Sequence, residues 1–186
     1  MKSPPQSPQA RLRTLAIKLL AQREHSRAEL QQKLVARIST MVTAAETGYA
    51  SGTPGLPTVG DIDHVLDQLE QKGLLSDARA AQAYVRSRAT RFGTARLSHD
   101  LRRRGIDEEL IDVSLAQEEI ADEYTRAASV WHSKFGSAPR DAREWARQAR
   151  FLQGRGFAPD IIRKLLKHIE ARNKSGNLPQ DGETQE

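Results

Sequence analysis

"RRRGIDEELIDVSL", residues 102–115, lies over "QGRGFAPDIIRKLL", residues 153–166, without a gap. Gly105 falls on Gly156, Ile106 on Phe157, Ile111 on Ile162 and Leu115 on Leu166, while the preceding Leu101 falls on Leu152. That spacing describes one amphipathic helix stopped at a glycine and a second beginning just after it. A further copy lies upstream. "AELQQKLVAR" (28–37) matches "ARLSHDLRRR" (95–104), pairing Leu30 with Leu97 and Leu34 with Leu101. "DIDHVLDQL" (61–69) matches "DEELIDVSL" (107–115), pairing Val65 with Ile111 and Leu69 with Leu115. Between these halves the first copy holds residues 38–60, where the second has only Gly105 and Ile106.

The matches predict a tandem repeat of three short helices per unit. A single unit of this size buries little apolar surface, so neighbours stack. Nine helices are expected in all. Ser26 and Ser76 read as N-caps, Thr94 and Asp141 as helix openers, and Pro159 as a first-turn residue. Gly73, Gly105 and Gly156 read as stops. No segment alternates with period two, so no sheet is expected. The expected fold is all-α: three tandem helix-turn-helix-like repeats forming an elongated, curved array. The repeats are placed at 11–75, with an inserted loop at 38–60, then at 76–117 and 118–172. The tails 1–10 and 173–186 are expected to be disordered.

Composition narrows the function classes. The 186 residues include no cysteine, which excludes disulfides and thiolate chemistry and suits a reducing compartment. No apolar run approaches the ~20 residues of a bilayer span, and "MKSPPQSPQA" lacks a secretory apolar block. A cytoplasmic, membrane-free and monomeric protein is expected. The histidines (His25, His64, His99, His132, His168) show no metal-ligand spacing, and no phosphate loop or nucleophile elbow occurs. No enzyme, cofactor or metal site is expected.

The net charge is +5, but its sign alternates: residues 61–104 carry +3, 105–139 carry −6 and 140–172 carry +5. Two arginine groups stand out. Arg86, Arg88, Arg91, Arg96, Arg102, Arg103 and Arg104 form the first. Arg140, Arg143, Arg147 and Arg150, at steps of three or four, form the second and predict one stripe along a helix, with Arg155 beyond it. Guanidinium forks suit phosphate or carboxylate oxygens, so these are the candidate partner- and nucleic-acid-binding residues. Arg102–Arg104 ending one helix and Asp107–Glu109 starting the next also complement the helix dipoles.

The ordered segments "SRAELQQKL" (26–34), "VLDQLEQKGLLSDARAAQAYVRSR" (65–88), "GTARLSHDLRRRGIDEELI" (93–111) and "LQGRGFAPDIIRKLL" (152–166) resemble the regulatory protein RecX family. The likeness extends over about residues 12–168; no single piece is specific, but the ordered set is. The chain departs from the family pattern at Ala80, where Phe is usual, and in the length of 38–60. The resemblance implies an all-helical repeat protein that inhibits the RecA recombinase. It would bind the RecA filament on single-stranded DNA and limit strand exchange, ATP turnover and co-protease activity, and so modulate DNA repair, recombination and the SOS response. An autonomous helix-turn-helix DNA-binding protein is the alternative the residues themselves leave open.

Overall fold

Helix boundaries fall where side-chain oxygens meet the unpaired amides of a first turn. The computed structural model describes residues 7–46, 57–117 and 121–175. Among the described residues there are nine α-helices and no strand. They are α1 (Pro8–Leu20), α2 (Arg27–Glu46), α3 (Val59–Gln71), α4 (Asp77–Arg88), α5 (Thr94–Arg102), α6 (Glu108–Gln117), α7 (Glu123–Lys134), α8 (Ala142–Gly154) and α9 (Pro159–Ser175). Thr58 and Asp61 form a capping box at α3, and Asp122 and Asp141 cap α7 and α8. Ser26 accepts from the Glu29 amide at 3.1 Å, and Ser76 accepts from that of Arg79 at 3.3 Å.

The chain divides into two compact units. One comprises the residues up to Tyr84 together with Leu101–Ser114; the other comprises Val85–Asp100 together with the residues from Leu115 onward. The division passes within α4, α5 and α6. In the first unit α1, α2 and α3 pack pairwise. Their core is Leu12, Ala16, Leu30, Leu34, Ile62, Val65, Leu66 and Leu69, with Leu75 from the following turn. Each large aliphatic side chain buried this way contributes about 1.5–3 kcal/mol. The buried Ser26 also donates from its hydroxyl to the Arg104 carbonyl, tying the start of α2 to the turn after α5.

In the second unit α7, α8 and α9 enclose Ala127, Trp131, Leu152, Phe157, Ile162, Leu165 and Leu166. The polar groups within this core are matched. The Trp131 indole donates to Gln148 Oε1 at 2.7 Å, and the Gln148 amide donates to the Ser137 carbonyl at 3.3 Å. Gly93 and Gly156 meet backbone to backbone. The Gly93 amide donates to the Arg155 carbonyl at 3.0 Å, and a Cβ on Gly93 would stand 2.2 Å from the Gly156 carbonyl oxygen.

The repeat is visible in equivalent local geometry. Leu34, Leu101 and Leu152 are each fully buried. Gly105 and Gly156 adopt φ of 74° and 84°, the left-handed region that glycine enters without penalty. The Ile106 amide reaches back to the Leu101 carbonyl at 3.2 Å, as that of Phe157 does to Leu152 at 3.3 Å.

Several expected boundaries are corrected. The loop expected at 38–60 begins later, because α2 continues to Glu46. Residues 38–46 contain no Gly or Pro, and Ile38 packs against the first core. Ser39 and Thr40 return their hydroxyls to the carbonyls of Val35 and Ala36, which lets them remain helical. At the other side α3 starts at Val59, and residues 47–56 lie outside the described part. Pro8–Ala10, expected within a disordered tail, form the first turn of α1 under the Ser7 cap. Likewise α9 extends through Ser175, two residues past the expected start of the C-terminal tail, whose remainder lies outside the described residues.

Candidate polyanion interface

The arginines singled out by the sequence separate into paired and unpaired groups. In the first unit, Arg102 grips Glu108 with a two-pronged contact, one arm at 2.6 Å. Those hydrogen bonds raise the Arg102 pKa and lower that of Glu108. Arg104 binds Glu29 at 2.6 Å, with its guanidinium 4.3 Å from the Tyr84 ring centre. Glu29 is held further by Arg23 and by the Ser26 amide. Arg103 is exposed in the turn after α5.

In the second unit, Arg86 and Arg88 are exposed in the last turn of α4, where cations suit the helix dipole, and both have interaction partners. Arg96 pairs with Asp100 at 3.1 Å. The expected four-arginine stripe is corrected to three. Arg140 precedes the α8 cap and clasps Glu144 at 2.7 Å, because the capped first turn directs the Glu144 carboxylate back toward it. That clasp holds the Glu144 carboxyl down at about 2. Arg143, Arg147 and Arg150 are exposed along α8, on one side of the helix by their spacing. Arg147 stands 3.9 Å from Glu144, a loose contact.

Arg155 at the α8 C-cap lies between two rings, 5.5 Å from the Phe92 centre and 5.2 Å from that of Phe151. Arg91 and Arg96 approach Phe92 at 5.9 and 6.0 Å, and Lys134 approaches Phe151 at 6.0 Å. These distances fall within the range of cation–π attraction. Two contributors were missed in the sequence. Lys134 carries no local signal beyond its charge. Arg126 is buried, and it donates to the carbonyls of Ala121 (3.0 Å), Ala89 (3.2 Å) and Phe92 (2.7 Å) and to Thr94 Oγ1 (3.1 Å). Burial lowers the Arg126 pKa.

Among the described residues no group of His, Cys, Asp or Glu could hold a metal ion, and no helix is long and apolar enough to cross a membrane. The arrangement offers ion-paired and unpaired cations on helical supports, a charge pattern that attracts polyanionic or acidic surfaces.

Fold and charge together define an all-helical repeat protein with an arginine-rich surface. The pattern of the second three-helix domain of RecX matches residues 76–115, and that of the third matches residues 121–166. The regulatory protein RecX of Leptothrix cholodnii is 39% identical over 170 residues, covering 91% of this chain and 96% of the relative. That of Halorhodospira halophila is 39% identical over 167 residues, covering 89% and 92% respectively. Crystal structures share the fold at lower identity. RecX from Lactobacillus salivarius superposes with a TM-score of 0.63 at 15% identity, covering 88% of this chain and 97% of that one. Another regulatory protein RecX gives 0.63 at 19%, covering 87% and 72%. The chain belongs to the regulatory protein RecX family.

Proposed function

We propose that this chain restrains the RecA recombinase by docking on the RecA filament formed on single-stranded DNA. The tandem helical repeats would lie along the filament groove and touch more than one recombinase subunit. Inhibition then comes from occupancy, with no bond made or broken, in the cytoplasm where the recombinase works. Family membership supports the regulator. The exposed row Arg143, Arg147 and Arg150 on α8 is the observation that favours a polyanionic or acidic docking partner.

The test is inhibition of recombinase ATP turnover and strand exchange by purified protein. Wild-type chain lowers both. Replacing Arg143, Arg147 and Arg150 with Glu raises the concentration needed by about tenfold or more, with an unchanged helical spectrum. Equal inhibition by that variant removes the α8 row from the interface. No inhibition by the wild type, with tight binding to bare duplex DNA, establishes the autonomous DNA-binding alternative.

A further inference from the structure

A cleft of about 350 Å³ opens in the second unit. The turn after α4 lines it with Thr90 and Arg91, α7 with Ser129, Ser133 and Lys134, and the end of α8 with Phe151 and Arg155. No carboxylate lines it. Among the described residues, Arg91, Lys134 and Arg155 have no ion-pair partner, unlike Arg96, Arg102, Arg104 and Arg140. Unpaired cations converging on a recess with hydroxyl donors have the chemistry of an oxyanion receptor.

The cleft is also preorganised. Ser129 and Ser133 are one helical turn apart, as are Val130 and Lys134, so α7 presents two adjacent rows to it. One turn earlier, the buried Arg126 fastens the carbonyls of Ala89 and Phe92 to the same helix. The turn bearing Thr90 and Arg91 is thereby held against α7. Arg155 is steadied by the two phenylalanine rings. Little ordering cost remains when an anion enters.

We infer that this cleft binds a backbone phosphate of single-stranded DNA directly, apart from any contact with a recombinase. Its concavity favours a single strand, which can bend a phosphodiester into a recess, whereas a duplex presents its phosphates on a stiff convex cylinder. Phe151, the one ring among the lining residues, already carries Lys134 and Arg155, so recognition is of phosphate and not of base, and it is independent of sequence.

The experiment is fluorescence anisotropy of labelled oligo(dT) and of a mixed-sequence strand, titrated with full-length protein at several salt concentrations. Wild type binds both strands alike and prefers them to the matching duplex. The double variant Arg91→Gln, Lys134→Gln weakens binding about tenfold and reduces the logarithmic salt slope by about 0.7, one single-strand phosphate contact's worth. Ser133→Asp, an exposed substitution, weakens it similarly. A control, Arg163→Gln with Lys167→Gln, removes the same charge from the exposed face of α9 and weakens binding far less.

Equal losses in the cleft and control variants overturn the proposal, as does a wild type that ignores single strands or prefers duplex. A cleft variant that binds oligonucleotide normally but inhibits recombinase ATP turnover poorly also overturns it, assigning the cleft to a protein surface and leaving the proposed function intact. Millimolar inorganic phosphate competes weakly with a chain-borne phosphate; complete displacement by it overturns the assignment in favour of a free-phosphate site.

Discussion

Alanine substitutions at three left-handed glycines provide a graded test of the packing. Gly73, Gly105 and Gly156 share φ of 66°, 74° and 84°, so each Ala variant bears a similar backbone penalty, about 1–2 kcal/mol. Their surroundings differ. A Cβ on Gly73 meets nothing within 4 Å. On Gly105 it meets the Ala28 methyl at 2.4 Å, with the next atom 3.9 Å away. On Gly156 it meets the Arg96 Cβ at 2.4 Å and the Arg96 backbone nitrogen at 2.6 Å, where nothing flexible can yield. Overpacking of that kind adds about 1–3 kcal/mol. For a chain this long each kcal/mol moves the melting temperature by about 2–4 °C. Gly156→Ala should therefore melt about 2–12 °C below Gly73→Ala, with Gly105→Ala between them. Thermal denaturation followed by far-ultraviolet circular dichroism gives the order directly. Coincident melting of all three variants would refute the close approach of α5 to the turn after α8.

Arg126→Met keeps the apolar stem but abandons the carbonyls of Ala121, Ala89 and Phe92 and the Thr94 hydroxyl. With the guanidinium's own desolvation relieved, the net loss is about 2–4 kcal/mol, read by urea denaturation; a loss under about 1 kcal/mol contradicts the buried network. His25 is buried and its pKa is lowered, chiefly by burial and also by Arg23 and Lys33, against the opposing effects of the Arg23 carbonyl and Glu29. The unfolded chain therefore takes up the proton first: stability is complete above the ordinary histidine value of about 6.5 and falls as pH drops from there toward the folded value. His25→Gln should flatten that part of the stability profile between pH 7 and 5, and an unchanged slope would exclude His25 as its source.

The repeat was legible because its signals are local. A leucine four residues before a left-handed glycine, and an isoleucine or phenylalanine just after it, specify one turn geometry whatever lies elsewhere. The length of α2 was less legible. "ISTMVT" (38–43) is rich in β-branched and hydroxyl residues, which lower helix propensity, but burial of Ile38 and back-bonding by Ser39 and Thr40 favour helix. Tertiary packing settled what propensity left balanced.

The arginines show the same division between local and distant causes. Arg96 with Asp100 and Arg140 with Glu144 are separated by four residues, so their pairing follows from the sequence alone. Arg104 reaches Glu29 across 75 positions, and Arg155 meets Phe92 only through the fold. Counting arginines therefore overstates the binding face, because a guanidinium already gripping a carboxylate must surrender that contact before it can take another anion. Arg91, Arg143, Arg150 and Arg155 have no such commitment among the described residues, and Arg147 has only a loose one. These second-unit cations can engage an external polyanion without first breaking an ion pair, as can the exposed Arg103 of the first unit, while Arg102 and Arg104, paired within the first unit, bind its own helices together.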